Sequence, residues 1–205
     1  MFAGDGKDAT FGPATGSCGI PVRTGDFGLT FCAAGDKTVA YSGFITGSGS
    51  VTFNAAVSGL PAARHPLDIT GPAANTYSGP TVLSCGVLKL SKPAGVIAIP
   101  GNLSVGGSGK SNAGDGVILA DDGQIAPSAT VTLNGKAQPC FLDLSGHKAA
   151  LAKVVVDGQA KLRTGDGGLL TVKSLTVNDA KKTAGTYTAA TEKWIEGKGK
   201  VIVTP

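Results

Sequence analysis

Apolar residues recur two positions apart along most of this chain, the spacing that places both side chains on one face of a β-strand. The intervals between these pairs are mostly about 5 to 16 residues long and are filled with Gly, Asn, Asp, Ser or Pro, which favour turns. The pattern therefore predicts many short strands. The apolar pairs are Val51/Phe53, Leu67/Ile69, Leu88/Leu90, Ile97/Ile99, Leu103/Val105, Val117/Leu119, Val131/Leu133, Leu142/Leu144, Val154/Val156, Leu170/Val172, Leu175/Val177 and Val201/Val203.

The fold class predicted from this pattern is all-β, either a β-solenoid or a β-sandwich. Each predicted strand has only two or three apolar positions on its inward face, and these are mostly aliphatic. Alike side chains can then stack from one coil of a solenoid to the next. A sandwich more often has strands of five or six residues and a few large aromatic core residues. The solenoid is therefore the favoured fold and the sandwich the alternative.

Two regions are predicted along the chain. Residues 1–50 contain many Gly, Thr and Ser with isolated phenylalanines, which indicates a glycine-rich N-terminal cap or assembly segment. Residues 51–205 form the predicted solenoid with a C-terminal closing strand. Tyr187, Trp194 and Ile195 precede that strand, and such larger side chains are expected where a terminal repeat closes the open end of a stack.

Composition supports this architecture and excludes several others. The chain has 205 residues with 32 Gly and 11 Pro, and only 5% of its residues are aromatic, so long helices and thick cores are not expected. With 41% hydrophobic residues and a net charge of +4, disorder is also not expected. Residues 136–205 carry 11 basic against 6 acidic residues, so the excess positive charge is C-terminal. The lysines are spread singly without interleaved aromatics, which argues against nucleic-acid binding.

A stretch at residues 68–92, DITGPAANTYSGPTVLSCGVLKLSK, carries a resemblance to a known family. It resembles the autotransporter passenger-associated β-strand repeat. The matching positions include Asn75, Thr76, Tyr77, Ser78, Gly79, Gly86, Leu88 and Leu90, and the later strands also look like the tail of such passengers. The resemblance implies a right-handed parallel β-helix located outside the cell or at the bacterial cell surface. Pro80, Cys85 and Cys140 depart from the family pattern.

The sequence predicts no catalytic, cofactor-binding or metal-binding residues and therefore no enzyme. The glycine-rich GGSGKS at 106–111 lacks the first glycine of a phosphate-binding loop, since Ser104 stands there. His65 and His147 are the only histidines and both are predicted to lie in loops. Asp121 and Asp122 are the nearest candidates for the paired carboxylates of a polysaccharide-active enzyme, but their side chains would alternate faces in a strand.

Four cysteines, Cys18, Cys32, Cys85 and Cys140, form no CxxC pair and are candidates for disulfides. Sequence leaves the three possible pairings open, and Cys18 with Cys32 would close the shortest loop. Buried thiols are the alternative, above all for Cys85.

The leading functional hypothesis is an extracellular structural protein that self-associates through strand edges or end to end into a surface fibre or scaffold. One alternative is an adhesin that binds glycans or a host surface through loops such as 106–116. The second alternative is a polysaccharide-active β-helix enzyme. No membrane insertion is expected, because the sequence contains no continuous stretch of 18 apolar residues. Residues 1–20 do not have the pattern of a signal peptide.

Overall fold

The computed structural model describes residues 9–11, 17–18, 22–25, 28–32, 39–54, 67–106 and 114–205. Within these ranges the chain forms strands and no helix, so the all-β prediction is confirmed. None of the described residues forms a helix long and apolar enough to cross a membrane. The strands are β1 Ala9–Phe11, β2 Ser17–Cys18, β3 Val22–Thr24, β4 Leu29–Cys32, β5 Val39–Tyr41, β6 Ile45–Gly47, β7 Val51–Asn54, β8 Leu67–Ile69, β9 Thr81–Cys85, β10 Val87–Leu90, β11 Leu103–Gly106, β12 Asp115–Leu119, β13 Thr130–Gly135, β14 Cys140–Asp143, β15 Lys148–Gly158, β16 Lys161–Gly165, β17 Leu169–Val177, β18 Ala180–Lys181, β19 Gly185–Tyr187, β20 Ile195–Gly197 and β21 Lys200–Val203.

The chain alternates between two long sheets, and nearly all neighbouring strands are parallel. Sheet A has the order β1-β4-β7-β9-β11-β13-β15-β17-β21-β19, and sheet B has the order β2-β5-β8-β10-β12-β14-β16-β20. Strands paired in parallel lie about 20 to 30 residues apart in the sequence, the period of a repeat protein. We call one strand of sheet A, the following strand of sheet B and the segment after it one repeat.

The segment after each sheet B strand forms a third side of the molecule. Near the N-terminus this side contains the parallel pair β3 and β6, called sheet C. It continues through single hydrogen bonds, such as Thr76 N to Ile45 O at 2.8 Å, and through a parallel bridge between Ile99 and Ile125. The first halves of β15 and β17 then take the same position, with Leu170 beside Ala149. Each repeat thus contributes backbone hydrogen bonds on three sides.

The core consists mostly of aliphatic side chains stacked in register from repeat to repeat. In sheet A two such columns run through consecutive strands, and in sheet B two more do the same. Every member of the predicted apolar pairs is buried except Ile97, which is half-buried. The first column of sheet A is Leu29, Val51, Thr81, Leu103, Val131, Val154 and Leu175, and the second is Phe31, Phe53, Leu83, Val105, Leu133, Val156 and Val177.

The described part of residues 1–50 continues these same sheets, since β1 pairs with β4 and β4 with β7, all in parallel. Aromatic side chains enter the core in this part of the stack. The ring of Phe31 lies 5.4 Å from that of Phe53 and 5.1 Å from that of Tyr41.

The C-terminal end of sheet A is covered by residues 178–194, which we call the C-terminal cap. Its strand β18 pairs antiparallel with β17 on the edge opposite β15, and β19 pairs antiparallel with β21 on the edge opposite β17. These are the two antiparallel pairs among the described strands. Trp194 is buried and its ring lies 6.1 Å from that of Tyr187, so aromatic side chains pack over the last repeat.

Candidate functional site

The corner between sheet B and the third side brings together Asp121, Asp122 and His147. One ligand atom from each of these side chains lies within 4.8 Å of the others. The Nδ1 atom of His147 is 3.4 Å from Oδ1 of Asp122, and these two side chains are 33% and 46% exposed. The cluster is therefore open to solvent at the outer surface of two adjacent repeats.

Inter-repeat hydrogen bonds fix the backbone under this cluster. Asp122 O accepts a hydrogen bond from Gly95 N at 2.9 Å, in the preceding repeat, and Gly123 N donates to Lys148 O at 3.0 Å in the following one. Asp122 Oδ1 also accepts from Lys148 N at 2.8 Å. Gly123 has a φ of 67°, a conformation that L side chains rarely adopt. The carboxylates therefore project from a turn that three repeats hold in place.

Basic side chains do not neutralise the two carboxylates. Among the described residues, neither Asp121 nor Asp122 has a Lys or Arg within ion-pair distance, and the one charged-group contact of Asp122 is with His147. By contrast, Asp166, on the same corner two repeats further along, lies 3.9 Å from Lys198 Nζ. Two adjacent carboxylates without a cationic partner create a local negative potential that attracts cations.

The residues of the family-like motif have structural positions inside the stack. Asn75 is buried, its Oδ1 accepts from Ile45 N at 2.9 Å, and its Nδ2 donates to Ala98 O at 2.7 Å. One side chain thus joins the third sides of three repeats. Tyr77 OH lies 2.6 Å from Thr81 Oγ1, and burial raises the pKa of this phenol well above its usual value.

Of the other motif positions, some fill the core, some permit close backbone approach, and two are exposed residues that hydrogen-bond through the backbone. Leu88 and Leu90 are fully buried. A Cβ atom added to Gly79 would lie 2.3 Å from Gly49 O, so only glycine fits there. Gly86 has a φ of 89°. Thr76 and Ser78 donate their backbone N–H groups to Ile45 O and Gly47 O of the preceding repeat.

Lys92 is a buried residue that sequence reasoning did not single out. Its Nζ donates hydrogen bonds to Thr70 O and Ala73 O at 2.8 Å each and to Gly43 O at 3.2 Å. Only 1% of the residue is exposed, and burial lowers the pKa of its amine. The lysine neighbours Pro93 in a turn-like sequence, which predicts a solvent-exposed charge. Only the stacking of repeats places three carbonyl groups around it.

Cys85 and Cys140 are both buried, and no disulfide joins either of them in the described part of the chain. Burial and the nearby charge of Asp115 raise the pKa of the Cys140 thiol to about 12. The backbones of Cys18 and Cys32 lie in β2 and β4, but their side chains are outside the described set.

Two other predicted features fall outside the described residues. They are His65 and most of the loop 106–116, of which 107–113 are not described.

No model of a protein family matches this chain, and neither a curated protein nor a solved structure is significantly similar to it.

The sequence predicts only part of the cluster of Asp121, Asp122 and His147. The sequence indicates Asp121 and Asp122 as neighbouring carboxylates and predicts that His147 lies in a loop, but it does not show that this loop adjoins theirs. The loop before β15 and the loop after β12 occupy the same corner because β12 pairs with β14 in parallel. Only the register between neighbouring repeats shows that these two loops share a corner.

Proposed function

We propose that this chain is a right-handed parallel β-helix that serves as a structural scaffold at the bacterial cell surface. The observation that supports this best is the continuous stack of mostly parallel strands: sheet A contains 11 strands, of which β18 and β19 are antiparallel to their partners, and sheet B contains 8. Each repeat contacts chiefly its neighbours, as in solenoid proteins. Such a stack resists bending and presents regularly spaced side chains, which suits a stem or spacer rather than a catalyst.

Polar links inside the stack support a mechanical role. Asn75 and Lys92 both connect non-adjacent parts of the chain through buried hydrogen bonds. Buried hydrogen bonds of this kind are costly to leave unpaired, so sliding of one repeat over another is strongly opposed.

Self-association is proposed to use the N-terminal end. The C-terminal cap already pairs with the outer edges of β17 and β21, so a second copy cannot add strands to those two edges without displacing it. The edge strands left at this end are β18 and β19, which run antiparallel to the sheet, and β20, whose three residues form the one parallel edge among the described strands here. Strands β1, β2 and β3 each have a described partner on one side only. Two copies joined through these edges form a closed pair, whereas fibre growth needs compatible edges at both ends. A scaffold of limited length is therefore favoured over an endless fibre.

This proposal is tested on the full chain by light scattering coupled to gel filtration and by small-angle X-ray scattering over a range of concentrations. Eight strands about 4.8 Å apart give a body about 40 Å long, so a pair joined end to end measures about 80 Å. We expect a monomer to dimer equilibrium in which the maximum dimension about doubles. A chain that stays monomeric at all concentrations contradicts the self-association.

A matched pair of substitutions locates the contact. Thr10→Lys places a charge on the edge strand β1, and Thr186→Lys places the same charge on β19 at the opposite end. The first is expected to abolish the dimer and the second to leave it unchanged. Surface location is tested separately by protease treatment of intact cells, where protection of the chain argues against it.

A further inference from the structure

We propose that Asp121, Asp122 and His147 bind a divalent transition-metal ion of the zinc type, clamping the β11–β12 repeat to the β13–β14 repeat. The cluster combines one imidazole nitrogen with two carboxylates, each able to supply one ligand atom. Imidazole suits zinc and its first-row neighbours, whereas magnesium and calcium prefer all-oxygen sites. The mixed donor set therefore selects the class of ion.

The spacing of the donor atoms fits such an ion. Two ligands that each lie about 2.1 Å from a tetrahedral ion are about 3.4 Å apart. His147 Nδ1 and Asp122 Oδ1 are separated by 3.4 Å. The third donor, on Asp121, lies within 4.8 Å of both and moves closer to them when the ion binds.

The charge balance of the corner is a separate observation that points to a cation. The two neighbouring carboxylates have no Lys or Arg ion-pair partner in the described part of the chain, although lysines pair with Asp157 and Asp166 elsewhere. A divalent ion neutralises both carboxylates at once. Three protein ligands leave one position for water or another ligand, so binding is expected to be weaker than at closed four-ligand structural sites.

The effect of binding follows from the position of the ligands. Asp121 and Asp122 follow β12, and His147 precedes β15, so an ion bound to all three crosslinks adjacent repeats. An ion that binds only the folded chain raises its thermal stability.

The experiment uses the full chain without a histidine tag, stripped of metal with a chelator and titrated with zinc chloride by calorimetry and thermal unfolding. We expect one ion per chain and a raised melting temperature. Cobalt(II) is the spectroscopic probe. It should give visible bands of nitrogen and oxygen coordination without a thiolate charge-transfer band, because Cys85 and Cys140 are not ligands.

Three variants assign the site. Asp121→Asn, Asp122→Asn and His147→Gln keep the side-chain size, and the asparagines keep the oxygen that accepts the local hydrogen bonds. Each is expected to weaken zinc binding by about ten-fold or more. Asp166→Asn, on the same corner but two repeats after Asp122, is the matched control and should bind like the parent chain. Absence of zinc binding by the parent, or equal binding by the parent and His147→Gln, overturns the proposal.

Discussion

The side chain of Gln124 pairs with both backbone polar groups of Lys92. Lys92 N donates to Gln124 Oε1 at 3.0 Å, and Gln124 Nε2 donates to Lys92 O at 2.7 Å. The amide of Gln124 therefore replaces the peptide unit that a neighbouring strand would supply at this corner. Gln124 is fully buried, so these groups have no water as an alternative partner.

Gln124→Ala is expected to destabilise the protein by roughly 2 kcal/mol, because it leaves the N–H and C=O of Lys92 unpaired in the interior. Urea denaturation followed by circular dichroism measures the loss. Gln159→Ala removes the same side chain from an exposed turn and should change the stability little. Equal effects of the two substitutions would show that the Gln124 pairing contributes nothing.

Stability is expected to fall above pH 9, in part because of Cys140. Its thiol has a pKa of about 12 in the folded chain against 9.0 as the ordinary value. Between these values the unfolded chain loses a proton that the folded chain keeps, so rising pH favours unfolding by up to about 1.4 kcal/mol per pH unit for this group. The contribution is fully present below pH 9 and is lost as the pH approaches 12.

Cys140→Ala isolates this contribution. Other groups that ionise in the same range, such as Tyr77, act equally in both chains and cancel in the difference. The free energy of unfolding should therefore fall less steeply with pH in the variant than in the parent when both are measured by urea denaturation from pH 8 to 11. Parallel curves would mean that Cys140 ionises alike in the folded and unfolded chains.

Gly116 is required because the ring of Phe141 lies directly over it. A Cβ atom added to Gly116 would be 2.0 Å from Cζ of Phe141, and Arg163 Cζ lies 3.9 Å from the centre of the same ring. Gly116→Ala is expected to push the ring away and to cost about 1 to 2 kcal/mol. Thermal unfolding measures the cost.

The substitution should cost much less in a Phe141→Ala background, where the ring is absent. Gly101→Ala is the control for the general effect of alanine, since its Cβ would meet only Gly79 O at an ordinary 3.6 Å. If Gly116→Ala costs the same with and without the ring, the ring is not the reason for the glycine.

The alternation of apolar residues was enough to predict most of the core, because a period of two is imposed by the geometry of any strand. Leu103 and Val105, for example, lie inward in β11 as expected. The alternation of apolar residues does not show which strands pair with each other. Lys92, Gln124 and His147 receive their roles from residues one or two repeats away, so their neighbours follow only from the register of the stack.

The C-terminal cap shows the same limit. Tyr187 and Trp194 were expected to close the stack on the basis of their size, but the antiparallel pairing of β18 and β19 was not predicted. Asn178 and Asp179, with φ of 47° and 64°, form the turn that reverses the chain after β17. The dipeptide Asn-Asp predicts a turn, but it does not predict that the strand after the turn pairs with the edge of a parallel sheet.

Trp194 is expected to control which ends of the molecule can associate. Its Nε1 donates to Glu192 Oε2 at 2.6 Å, and Glu192 Oε1 lies 2.9 Å from Lys182 Nζ, so the indole ties the cap together. Trp194→Ala should destabilise the protein by about 3 kcal/mol. Because it loosens the cap over β17 and β21, it should also permit oligomers larger than the dimer. Light scattering measures their mass, and Lys193→Ala, an exposed neighbour, is the control. If Trp194→Ala is destabilised yet forms no species above the dimer, the cap is not what limits association at the C-terminal end.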